Sequence, residues 1–381
     1  MRNAVIGKLI IVRYHVFIMF SHFLLFFLVG CNGDIKKNNL TKNTIGDNDK
    51  YALIISKPDS IKSPEGMVWI PGGEFQQGAV LGDSLAMGHE KPAHKVTLDG
   101  FFMDIHEVTN LQFSKFVEQT GYVTVAERKV DWDEMRKQLP ENTPKPDDAM
   151  LQPGSLVFKK NVTSISNLYD YSQWWNWTTG ANWRHPNGPG STIEGLDDHP
   201  VVHISYEDAV AYCEWAGRRL PTEAQWEYAA RGKYNIGIYY WGTDSGELKR
   251  YANTWEGNFP LSNTLDDGYA LRAPVGSFEP NSYGLYDMSG NVWEWTSDWY
   301  NTRYYSKLYN EGKVVHNPKG AQFPYNESNP IAKERVIKGG SFLCSIVYCA
   351  SYRLSSRMAS TEDSSLEHLG FRTVLTFDML N

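Results

Sequence analysis

The sequence predicts one α+β domain with few helices and much irregular chain. Three observations carry that expectation. Only three segments show the capped, 3.6-period pattern of a helix clearly. The other apolar stretches are short and broken by Gly, Pro, Asn and Asp. No internal repeat and no second linker follows residue 65, so the body is read as one domain over 65–377 of the 381 residues.

The helices come first. Thr109-x-x-Gln112 is a capping box; Phe113, Phe116 and Val117 share a face, and Gly121 ends the run. Ser205-x-x-Asp208 resembles a second cap, with Ala209, Tyr212, Cys213 and Ala216 on one stripe and Gly217 at the stop. Thr222-x-x-Gln225 is a third box, with Trp226, Ala229 and Ala230 inside and Gly232 closing. Cys213 therefore reads as a small core hydrophobe. The short apolar runs include Met67–Ile70, His94–Leu98, 201–204 and 335–338. A fold with so little regular structure needs other sources of rigidity, and bound metal ions and dense aromatic packing are the candidates. The chain has 13 Trp, 22 Tyr and 17 Phe to supply the second.

Ahead of the body, Arg2, Lys8 and Arg13 form a positive n-region, and 14–29 is an apolar run short for a membrane span. It closes on Leu28-Val29-Gly30-Cys31, which resembles a bacterial lipobox. Residues 1–30 are thus expected to be a lipoprotein signal peptide, with Cys31 lipidated as the first mature residue; a plain membrane anchor is the other reading. Loss of 1–30 removes three cations and no anion, taking the net charge from −7 to −10. An acidic chain of this kind offers no basic surface to nucleic acid, and its membrane contact would be through acyl chains. Residues 31–64 are polar and aperiodic and read as a flexible tether.

Three cysteines remain after Cys31, and Cys344 and Cys349 lie in one segment, "GGSFLCSIVYCASYR". A structural disulfide is the ordinary expectation outside the cytoplasm. Zinc would have to recruit distant ligands. Two soft thiolates alone can hold Cu(I), which accepts low coordination. Two further segments, "NTWEGNFPLSNTLDDGY" over 253–269 and "DMSGNVWEW" over 287–295, are rich in the oxygen donors that Ca2+ prefers, or simply in turn chemistry.

At a larger scale "GMVWIPGGEFQQG", "MDIHEVTNLQFSKFV", "GANWRHPNGP", "HPVVHISYEDAVAYCEWAGRRLPTEAQWEYAARG", "YGLYDMSGNVWEWTSDWY", "RVIKGGSFLC" and "LGFR" follow one another in order. Together they resemble the formylglycine-generating enzymes, or sulfatase-modifying factors, over 67–372. The C-x4-C pair is the narrower feature that looks like the copper-binding pair of the true enzymes. The resemblance implies a fold related to C-type lectins and stabilised by Ca2+. It implies an O2-dependent oxidase that converts one cysteine of an unfolded sulfatase, in a Cys-x-Pro-x-Arg segment, to Cα-formylglycine. The implied cofactor is Cu(I) on Cys344 and Cys349, with the substrate thiolate as a third ligand and a thiol as reductant.

Position by position, the resemblance puts Ser341 and Trp293 beside the metal, and His368 and Arg353 in the substrate pocket. It puts a first Ca2+ on Asn253, Thr254, Asp267 and Tyr269, and a second on Asp287, Gly290, Val292 and Glu294. Three departures stand out. Leu354 and Thr373 replace extra disulfide positions of the animal enzymes, His368 replaces a frequent Asn, and 129–176 matches poorly. A non-catalytic lipoprotein on the same scaffold is the alternative function. A sulfoxide synthase is a third, and nothing before Met67 resembles its extra domain. The expected location is the bacterial cell envelope, lipid-anchored on the periplasmic side or at the outer membrane.

Overall fold

The computed structural model describes residues 53–234 and 237–380. The expected signal peptide, Cys31 and most of the tether lie outside the described residues.

Among the described residues five small sheets are joined by long irregular connections. β1 (Met67–Ile70), β4 (Phe101–Asp104) and β14 (Val374–Thr376) form an antiparallel sheet that brings the two ends of the body together. β2 (Gly73–Gln77) pairs antiparallel with β3 (His94–Leu98), and β10 (Val315–His316) lies parallel to β3. The largest sheet has the order β12-β11-β9-β13, from β9 (Trp293–Trp299), β11 (Glu334–Lys338), β12 (Met358–Thr361) and β13 (Leu369–Gly370). Two hairpins complete the set: β5 (Gly154–Phe158) with β6 (Trp175–Thr179), and β7 (Gly257–Asn258) with β8 (Ser262–Asn263).

The three expected helices are present with their caps: α1 (Asn110–Thr120), α3 (Tyr206–Trp215) and α4 (Glu223–Arg231). In α1 the Gln112 backbone N–H donates to Thr109 Oγ1 at 3.3 Å, Gln112 Oε1 accepts from Thr109 N at 2.9 Å, and Gly121 leaves in the left-handed region at φ 68°. Three helices were not legible: the single turns α2 (Trp132–Met135) and α5 (Leu248–Tyr251), and α6 (Tyr304–Glu311), whose N-terminal Arg303 makes no side-chain cap. Residues 201–204 form no strand; they run buried between loops, Val201 N donating to Val108 O and His203 N to Leu366 O. The folded body also starts before residue 65, because Ile54 N bonds Asp99 Oδ1 and the carbonyls of Ile54 and Ile55 accept from Gly100 and Gly72.

Apolar packing is split among clusters. One joins Phe113, Tyr212, Cys213, Trp293, Trp295, Cys344, Tyr352 and Phe371. Another packs α4 on the first two sheets through Trp226, Ala229, Phe75 and Phe101. A third is largely aromatic: Phe158, Trp174, Trp255, Phe259 and Phe342. The rigidity that the sequence left open comes in part from buried ion pairs. Arg353 with Asp83 and Glu90, Arg357 with Glu223, Arg372 with Glu294, and Lys338 and Arg231 with Glu227 are all removed from solvent. Such pairs tie distant loops in one geometry, since breaking one strands a buried charge.

Candidate metal and catalytic site

The thiol pair is built by the chain that leaves β11. Gly339 and Gly340 take φ of 90° and 74°, values that favour glycine. A Cβ on Gly340 would press on the Ser351–Tyr352 backbone at 2.8 Å, so only glycine fits there. Ser341 then opens a tight turn: its carbonyl accepts from Cys344 N at 2.8 Å, its Oγ accepts from Leu343 N at 3.3 Å, and its N–H points at Cys344 Sγ at 3.4 Å. Ser345 closes the next turn, its carbonyl accepting from Cys349 N at 3.1 Å and Ala350 N at 2.9 Å. The second thiol thereby returns to the first. The two are free and within hydrogen-bond reach of each other.

Their electrostatics differ. Burial, and then the neighbouring Cys349, push the Cys344 thiol well up. At Cys349 burial also acts upward, but the hydrogen bond from Cys344 and those from Ser351 outweigh it, so this thiol is lowered. Were both deprotonated, the two sulfurs would need a cation, and a soft monovalent ion suits two sulfur ligands. Cys213 is also free, buried among the core aromatics, with its thiol pushed up by burial. Leu354 and Thr373 are both buried, and neither can pair with it.

The expected neighbours converge on the pair. Trp293, first residue of β9, is buried in the same cluster as Cys344, and its N–H donates to His368 O at 2.8 Å. His368 Nδ1 lies 3.0 Å from Ser341 Oγ. The 129–176 stretch reaches the site through β6. Trp175 meets the His368 ring edge-on at 4.9 Å, and Trp174 meets Tyr348, between the cysteines, at 5.7 Å. Ile346 and Val347 on the same loop are 52% and 65% exposed, which gives the site an apolar rim. Trp175 and Tyr348 were not singled out in the sequence, where they are two aromatics in aromatic-rich runs.

Arg353 does not line a pocket. It is 1% exposed, and its guanidinium bonds Asp83 Oδ2 at 2.7 Å and both Glu90 oxygens at 2.8 Å. Its charge is spent on pinning the 83–90 loop, which corrects the expected substrate contact.

The first calcium set is brought together. Asp267 accepts from Thr254 N and Tyr269 N, both at 2.9 Å, and Asn253 Oδ1 is buried with no hydrogen-bond partner. A carboxylate beside an unpartnered amide oxygen suits Ca2+. In the second set, Gly290 packs so close to Asn253 that a Cβ would collide with its carbonyl, which couples the two loops. Glu294 differs from expectation: Arg372 takes both its oxygens at 2.7 Å and Trp226 Nε1 one of them at 2.8 Å. The uncompensated charge falls on its neighbours. Burial, then Asp287, raises Glu107, whose Oε2 has no partner; burial raises Asp287 to about 6. Glu107 and Asp287 thus tend to share a proton beside the one guanidinium, and a bound divalent cation would displace it. Among the described residues no group of three or more His, Cys, Asp or Glu side chains is placed to hold a metal ion.

The loop-rich α+β body is that of the sulfatase-modifying factors. The model of that family, described as "Sulfatase-modifying factor enzyme 1-like domain", matches residues 54–377. The chain belongs to the formylglycine-generating enzyme family. It is 42% identical to the formylglycine-generating enzyme of Bos taurus, over 85% of this chain and 79% of that one. It is 41% identical to that of Thermomonospora curvata, over 81% and 92%. It is also 36% identical, over 80% and 84%, to a Mus musculus relative named inactive C-alpha-formylglycine-generating enzyme 2. Among solved structures, PvdO from Pseudomonas aeruginosa shares the fold at a TM-score of 0.54 and 21% identity, covering 81% of this chain and 93% of its own.

Proposed function

We propose that the protein oxidises one cysteine of an unfolded sulfatase, in a Cys-x-Pro-x-Arg segment, to Cα-formylglycine, with Cu(I) on Cys344 and Cys349, O2 as co-substrate and a thiol as reductant. The observation that carries this reading is the pair of free thiols within hydrogen-bond reach of each other, in a chain 41–42% identical to named formylglycine-generating enzymes. Relatives named inactive share the fold, so the fold alone does not carry it. Bound Cu(I) would supply the O2 chemistry that removes a Cβ hydrogen, a task for which acid–base side chains are poorly suited. The chain's own residues do the rest. Cys344 and Cys349 give up their protons as they take the ion. Trp293 and the core around Cys344 exclude water from it. Trp175, Tyr348, Ile346 and Val347 offer an extended peptide an apolar rim.

We further propose Ca2+ as a structural ion on the two loop sets, and anchoring to the bacterial cell envelope through lipid on Cys31. The test of function is direct. The detergent-solubilised full chain is incubated with Cu(I), O2, a thiol reductant and a Cys-x-Pro-x-Arg peptide, and mass spectrometry follows loss of the thiol and gain of an aldehyde. A peptide left unchanged under all metal loadings would replace this reading with that of a non-catalytic binding protein.

A further inference from the structure

We propose that His368 is a positioning residue: through Nδ1 it fixes the Ser341 hydroxyl, and through Ser341 it fixes the sulfur of Cys344. The inference takes from the proposed function only what the thiol pair is for; the placement itself does not depend on a metal.

The geometry assigns the proton. Ser341 is fully buried, and its Oγ already accepts from Leu343 N at 3.3 Å. A hydroxyl has one proton to donate, and in a buried place that proton needs an acceptor. His368 Nδ1, at 3.0 Å, supplies it. A neutral imidazole that accepts at Nδ1 carries its proton on Nε2. Burial pushes this ring down to about 3, so the neutral form is the one present at neutral pH.

The ring is itself anchored. Its backbone carbonyl accepts from Trp293 N at 2.8 Å, one residue before β13 pairs with β9, and Trp175 packs on it at 4.9 Å. Ser341 in turn makes the turn that carries Cys344, by the three contacts between 341 and 343–344. His368 thus couples the rigid β9–β13 pair to the loop bearing the thiols. The resemblance placed this residue in the substrate pocket; its ring is partly exposed, and its Nδ1 is the side turned to Ser341.

The test compares His368→Phe, which keeps an aromatic ring against Trp175 but offers no acceptor, with His368→Gln, which restores one. Readouts are the melting temperature, the separate iodoacetamide alkylation rates of Cys344 and Cys349 in the reduced, metal-free chain, and the tautomer of His368 in the parent by long-range 1H–15N NMR. The expected tautomer is Nε2–H. Loss of one buried hydrogen bond should raise Cys344 alkylation relative to Cys349 by about tenfold in His368→Phe, with the melt near the parent's, and His368→Gln should recover most of it. An Nδ1–H tautomer, or equal alkylation ratios in parent and His368→Phe, would overturn the proposal. If His368→Phe does not fold, the tautomer in the parent decides. Failure of the parent to convert peptide would count against the oxidase and leave these readouts standing.

Discussion

The backbone N–H of Trp255 donates to the carbonyl of Cys344 at 3.0 Å. Asn253 and Thr254, from the first calcium set, directly precede that donor. The second set grips the same segment upstream: Gly290 N donates to Gly339 O, and Asn291 O accepts from Phe342 N, both at 2.9 Å. The two loops are themselves joined by Asn291 N donating to Asn253 O, also at 2.9 Å. Order in these loops is therefore order at the thiols.

Calcium should act on both stability and thiols. Saturating Ca2+ at about 100 times its dissociation constant would add about 2.7 kcal/mol to the native state. Chelation should lower the melting temperature and raise Cys344 alkylation, and Asp287→Ala should remove most of the melting response. A melt unchanged by chelator would rule the ion out.

Much of this was legible in the sequence because it is local. Thr109, Ser205 and Thr222 announce their helices three residues before the partner that completes each cap. The paired glycines before Ser341 mark a turn wherever they fall. What was not legible is long-range. Arg353 meets Asp83 and Glu90 across more than 260 residues, so its burial leaves no trace in its own neighbourhood. Trp175 reaches His368 only because the β5–β6 hairpin folds over the site. Glu107 lies in a motif that was noted, but its place beside Asp287 depends on tertiary packing.

Arg353→Ala should therefore destabilise the protein strongly. Removing one partner of a buried pair costs about 3–5 kcal/mol, because Asp83 and Glu90 are left charged without compensation. The variant should show a markedly lower denaturation midpoint and, where it is still folded, a peptide KM near the parent's. A raised KM at unchanged stability would restore the substrate role.

Asp298 should shape the pH dependence of stability. Burial first, and then Glu223, raise its carboxyl to about 7, while Arg357, Ser297 and the Glu223 N–H act the other way. The folded chain holds this proton where the unfolded chain, with an ordinary Asp near 3.9, has lost it. Stability from this group is thus present in acid and is lost as pH rises from about 4 to about 7. Asp298→Asn should flatten that slope, by an amount of the order of a few kcal/mol, in denaturant titrations taken at several pH values. Parallel slopes in parent and variant would place the titration elsewhere.

Cys31→Ser should abolish fatty-acid labelling and the cleavage expected before residue 31. Continued labelling of the Ser variant would refute the lipobox reading.

The most direct measurement is made on Cys344→Ser and Cys349→Ser, each assayed for melting temperature, Cu(I) binding and aldehyde formation on the peptide. Because the two thiols are free in the fold and hold no loop by a covalent bond, each variant should melt close to the parent, yet lose strong Cu(I) binding and all aldehyde product. A clearly lowered melt with unchanged copper binding would mark the pair as structural, and peptide conversion at the parent rate by either variant would contradict the account.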